Sequence, residues 1–170
     1  TGQVNLASQT ELTNLMTVGA GTTVNMQGDF VLRSTSDAGN GTARIGPLLN
    51  GAKITGNITA ERYMSGEGRI WRYISSPVAG VTVADLQAFF PITGNFEGTS
   101  TGEGLLTNAS MFSYSEPSNP QYQPFPTTGG NNLQALQRGV GYTSFIRKEN
   151  EATTIKFTGE PHQGDVNFTI

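Results

Sequence analysis

The stretch Ile54–Val78, ITGNITAERYMSGEGRIWRYISSPV, decides the fold. It divides into two extended runs, 54–64 and 69–76, that meet at the glycines of SGEG. Together the two runs are rich in Ile, Thr, Tyr and Trp, the residue types that fit a pleated, half-buried surface, while Gly punctuates between them. Arg62 and Arg72 interrupt the apolar face of each run. The single tryptophan, Trp71, stands in the second run between Arg69 and Arg72. Within a strand it is expected to be a core residue with its N–H satisfied and neighbouring guanidiniums stacked on nearby rings.

Extended segments continue on both sides. Upstream, residues 22–33, TTVNMQGDFVLR, place Val24, Met26, Phe30 and Leu32 on one face and polar residues on the other. A period of two over this length predicts a half-buried strand, with Gly28 marking a bulge or a break into two strands. The SDAGNG loop at 36–41 carries turn chemistry, and a short strand is expected over 42–45, before Pro47. The runs VNMQGDFVLRS and ITGNITAERYMS resemble each other, which leaves stacked, solenoid-like coils open.

Downstream, TVADLQAFF at 82–90 is the best helix candidate, with Thr82 placed to cap it, Asp85 in its first turn and Pro91 to stop it. MFSYS at 111–115, GYTSFIRK at 141–148, TTIKFTG at 153–159 and DVNFTI at 165–170 read as strands. Residues 115–132, with four prolines, read as a long ordered loop of the kind that carries function. The chain stops inside the last alternating run, as expected for a piece cut from a longer polypeptide.

Composition narrows the function. The 170 residues include 22 Gly, no Cys and one His, with 14% charged residues and a net charge of −3. Nucleic-acid binding needs clustered Lys and Arg, and the basic residues here are scattered. Zinc sites and disulfides lack ligands. No apolar run reaches the length of a membrane helix, so membrane insertion is not expected. The lone His162 has no nucleophile elbow to serve. Glu61, Glu67, Glu97, Glu103 and Glu116 show no spacing that sets two carboxylates about one glycosidic bond. The chain is therefore not expected to be an enzyme. No cofactor is expected, with calcium as the one candidate: Asp37 and Asn40 offer hard oxygen ligands in a loop that also reads as a plain turn. The remaining candidates are aromatic. Trp71, Tyr114, Tyr122 and Phe125 could offer flat partners to the C–H faces of sugars, with Tyr122 and Phe125, in the proline-rich loop, the better placed.

In order along the chain come GNITAERY (56–63), RIWRYISSPVAG (69–80), ASMFSYSE (109–116), LQRGVGYTSFIR (136–147) and Gly164-Asp165-Val166. This succession resembles a β-module of large Bacteroidetes proteins exported by the type IX secretion system, some adhesins and some multidomain enzymes. Where that family commonly carries a Gly-Trp pair after the acidic turn, this chain has Gln121-Tyr122. The resemblance implies an extracellular or cell-surface location, with a polysaccharide or other cell-surface ligand and the flanking domains of a parent protein as partners.

The expectation is an all-β chain. Residues 1–50 form an N-terminal strand layer or cap, solenoid-like in one reading, packed on the domain that follows. Residues 51–170 form an antiparallel β-sandwich, jelly-roll-like in one reading, with one short helix. The expected function is a non-catalytic module for adhesion or glycan binding. The alternatives are a structural spacer and an accessory part of a polysaccharide-active enzyme.

Overall fold

A computed structural model describes residues 2–36, 41–66, 68–116, 118–147 and 151–167. The calcium candidates Asp37 and Asn40, and the end of the last expected strand, 168–170, lie outside the described residues. The described residues are all-β apart from one short helix. They fall into two compact units, one built on Thr1–Met64, Pro77–Gly80 and Thr154–Ile170, the other on Ser65–Ser76 and Val81–Thr153.

The first unit contains β1 (Gln3–Leu6), β2 (Thr10–Leu12), β3 (Leu15–Met16), β4 (Thr23–Met26), β5 (Phe30–Leu32), β6 (Arg44–Ile45), β7 (Lys53–Thr55) and β8 (Ile58–Met64). Gly28 separates β4 from β5 and lies against the backbone of Ser8, and its N–H donates to the Leu6 carbonyl at 3.2 Å. Gly56 separates β7 from β8, so the run 54–64 is two strands rather than one.

Pairing in this unit corrects the antiparallel expectation. β1, β4 and β7 form one parallel ladder, β2, β5 and β8 a second, and β3 pairs parallel with β6. Parallel neighbours cannot be joined by a tight hairpin. Here the chain visits the strands of the other sheets before returning to pair beside its starting point. In-register stacking then sets like on like. Leu12 lies beside Leu32, and Val24 lies between Val4 and Ile54. Asn25 Nδ2 donates to Asn5 Oδ1 at 2.8 Å, and the Thr55 hydroxyl donates to Asn25 Oδ1. The residues of one face are buried: Val24, Met26, Phe30, Leu32, Ile54, Ile58 and Ala60.

The β7 edge of its ladder is closed by a side chain. The Gln163 amide accepts from the Ile54 N–H and donates to the Ile54 carbonyl, both at 2.8 Å, and so stands in for a neighbouring strand. The Glu61 carboxylate of β8 is buried. It accepts from Arg33 Nη1 at 2.8 Å and from the Ser34 N–H at 3.3 Å, while Arg33 also pairs with Glu11.

The second unit holds β9 (Ile70–Ile74), α1 (Val83–Gln87), β10 (Met111–Tyr114), β11 (Tyr122–Pro124) and β12 (Tyr142–Ile146). The strand β13 (Thr153–Gly159) neighbours β8 in a sheet of order β13-β8-β5-β2. β8 and β9, consecutive in sequence, therefore belong to different sheets. The helix carries the expected cap: the Asp85 N–H donates to Thr82 Oγ1 at 3.3 Å and the Thr82 N–H donates to the Asp85 carboxylate at 2.8 Å. It is shorter than expected, and Phe89 and Phe90 fall beyond it in a turn.

Candidate functional site

The sheet β11-β10-β12-β9 is antiparallel throughout, with Tyr142 opposite Ile74 and Ile146 opposite Ile70. Side chains along a strand alternate between the two faces. On one face Ile74, Met111, Tyr142, Ser144 and Ile146 are buried. Tyr142 packs its ring 4.5 Å from Phe125, and its hydroxyl accepts from the Gln137 N–H at 2.9 Å. Burial of this phenol pushes its pKa upward.

The opposite face is aromatic and open. β9 contributes Trp71 and Tyr73, β12 contributes Phe145, β10 contributes Phe112 and Tyr114, and β11 contributes Tyr122. Tyr73 is 78% exposed, Tyr114 50%, Trp71 49% and Tyr122 44%. Cross-strand register brings the rings together. Phe145 lies opposite Trp71 with ring centroids 5.2 Å apart. Phe112 stands 5.8 Å from Trp71, and Tyr114 stands 5.3 Å from Tyr122. Trp71, Tyr73, Phe112, Tyr122 and Thr143 line a shallow hollow of about 410 Å³. A hydrogen bond with the Tyr73 hydroxyl raises the pKa of Tyr122. The face thus combines apolar ring surface with hydroxyls at its edges.

Two sequence expectations are corrected here. Trp71 is half exposed on the open face, not in the core. In RIWRYI it is Ile70, Arg72 and Ile74 that share the inner side. Arg72 is accommodated there half-buried, with Nη2 3.2 Å from Ser65 Oγ. Phe125 is buried against Tyr142 and takes no part in the open face. The loop 115–132 also contains a strand, β11, at the sheet edge, where Pro124 removes no ladder hydrogen bond the sheet needs.

Tyr114 and Tyr122 lie where a ligand could reach them. Tyr73, Phe112 and Phe145 were missed by sequence reasoning. The signal was present: aromatics two residues apart in 71–73 and 112–114, and Phe145 alternating with buried neighbours, all at strand period. Among the described residues no group of three or more His, Cys, Asp or Glu could hold a metal. A second hollow of about 360 Å³, in the first unit, is lined by Pro47, Leu48, Ile54 and the 161–165 loop that carries His162.

In comparisons with known proteins, no family model, no curated protein and no solved structure matches this chain.

Proposed function

We propose that this chain is a non-catalytic, secreted or cell-surface module that binds glycan through the open face of the β11-β10-β12-β9 sheet. One observation carries the reading: six aromatic side chains, from all four strands, share one solvent-facing surface. Apolar patches of this kind mark binding sites in soluble proteins. The tyrosine hydroxyls at the rim suit a ligand that alternates apolar C–H faces with hydroxyl groups, and sugars do so. The rings are tilted against one another by 44° to 65°, which makes a corrugated surface suited to a single twisted chain rather than a flat crystal face.

The resemblance to modules of Bacteroidetes proteins exported by type IX secretion supports an extracellular setting and an adhesive role. We read the parallel ladders of the first unit as coils of a short β-solenoid, supported by the Asn5–Asn25–Thr55 stack. The antiparallel sheet, buried on one face, is read as one leaf of a sandwich.

The test is a glycan array followed by calorimetry on the hits. Trp71→Ala combined with Tyr73→Ala should weaken binding tenfold or more, since each stacked ring contributes about 0.5–1.5 kcal/mol beyond the area it buries. Phe125→Ala should instead lower stability with the site intact. Binding that survives the double substitution would place the site elsewhere. No binding across a broad panel would leave a structural spacer as the reading.

A further inference from the structure

We propose that two copies of this chain pair end to end through the open edges of β1, β2 and β3, with β1 of one copy antiparallel to β1 of the other.

These strands stand first in their ladders. Among the described residues, β1 ends the ladder β1-β4-β7, β2 ends the sheet β13-β8-β5-β2, and β3 ends the pair β3-β6. Their inner sides are taken. The Gly2 and Leu6 carbonyls accept from the Thr23 and Gln27 N–H groups, both at 2.9 Å. The Thr10 N–H donates to the Asp29 carbonyl at 2.8 Å, and the Asn14 and Met16 carbonyls accept from the Arg44 and Gly46 N–H groups. In a parallel ladder the backbone groups of successive residues point to opposite sides. The N–H and C=O groups of Gln3, Asn5, Glu11 and Leu15 therefore point outward, away from β4, β5 and β6.

The side-chain rows also run out at this end. Val24 and Ile54 are buried, whereas Val4, next in the same row, is half exposed. Leu15 on β3 is half exposed as well. The row Thr55–Asn25–Asn5 ends on an exposed amide that can continue it.

Open edges pair with other chains unless Lys, Pro, bulges or inward charges blunt them. Residues 2–16, GQVNLASQTELTNLM, hold no Lys, Arg or Pro and a single charge, Glu11, which Arg33 neutralises. The opposite end is protected: Gln163 takes the β7 edge, and β13 follows β8.

This asymmetry chooses the occupant. A lone extended peptide would cover one of the three edges, whereas the same end of a second copy presents all three. That end carries no net charge, so two copies meet without repulsion. With β7 and β8 already covered, head-to-tail stacking is blocked. The contact therefore uses the same surface on both copies and closes as a two-fold pair rather than a filament.

Sedimentation equilibrium of the whole chain, from micromolar to submillimolar concentration, tests this. A monomer–dimer equilibrium is expected, with amide exchange at Gln3 and Asn5 slowing as the concentration rises. Gln3→Pro removes one outward N–H and none of the bonds to β4, while Leu15→Lys sets a charge on the exposed end of β3. Each should weaken the dimer tenfold or more and leave the circular dichroism of dilute protein unchanged. A chain that stays monomeric throughout the range would overturn the proposal. So would a dimer that both substitutions leave intact, a dimer in which exchange at Gln3 and Asn5 does not slow, or growth into open-ended fibres.

Discussion

Gly56→Ala lowers the thermal midpoint by roughly 6–12 °C, corresponding to about 3 kcal/mol or more, with about 2–4 °C per kcal/mol for a chain of this size. Gly56 ends β7 with φ +86°, and a Cβ there would overlap the carbonyl oxygen of Met26. Two costs add. A side chain in the left-handed region costs about 1–2 kcal/mol. Forcing backbone apart in a packed ladder costs about 1–3 kcal/mol more. Met26 is buried and lies in β4, the strand that β7 pairs with, so its carbonyl has nowhere to move.

Gly51→Ala isolates the first cost. Gly51 has φ +77° and open space around the added methyl. It forms a tight turn with Asn50, closed by the Ala52 N–H donating to the Leu49 carbonyl at 3.0 Å. Its replacement should lower the midpoint by roughly 2–8 °C. Equal losses at the two positions, followed by circular dichroism during heating, would contradict the close approach of Gly56 to Met26.

Glu61→Ala should be the second large effect, about 2–4 kcal/mol, or roughly 5–15 °C. The carboxylate is buried and accepts from the Ser34 N–H at 3.3 Å and from Arg33 Nη1 at 2.8 Å, with Lys156 Nζ at 3.8 Å. Truncation leaves the buried Ser34 amide without this acceptor, at about 1–3 kcal/mol, and removes packed methylenes, at about 0.8 kcal/mol each. Arg33 keeps Glu11 and is partly solvated, so it adds little. Hydrogen bonds with Glu11 and Glu61 raise its pKa further, so it stays charged throughout the working range. Glu61→Gln retains the shape and one acceptor oxygen and should recover part of the loss. A Glu61→Ala protein as stable as the parent in urea unfolding would mean that the carboxylate contributes nothing net.

Strand periodicity was the most legible part of the fold. Residues 22–33 and 153–159 showed it because one face is apolar and the other polar, and both fold as strands with the apolar face buried. The break at Gly28 was legible for the same reason. The first three strands were not individually legible. They are two to four residues long and exposed or half-buried, and they form because partners some twenty to thirty residues on lie in register. Parallel pairing was equally hidden, because alternation reports which face is buried and not the direction of the neighbour.

The open face was half legible. Trp71, Tyr114 and Tyr122 could be singled out as aromatics, but the side on which each ring lies could not be read. In RIWRYI both faces carry apolar residues, and polarity alone assigns Arg72 to solvent and Trp71 to the core. Packing chose the reverse, seating Arg72 beside Ser65 and leaving the indole outside. Phe125 looked available because it lies among prolines. Its ring instead closes the core against Tyr142.

Trp71 is the sole tryptophan, so the fluorescence of the unmodified chain reports on this face alone. Emission and acrylamide quenching, recorded as a glycan found on the array is added, test the central claim most directly. The account predicts a half-exposed indole in the free protein, with a blue shift and reduced quenching at the glycan concentrations where calorimetry detects binding. A free protein that already emits as a buried indole, or an unchanged signal while a glycan is bound, would contradict it.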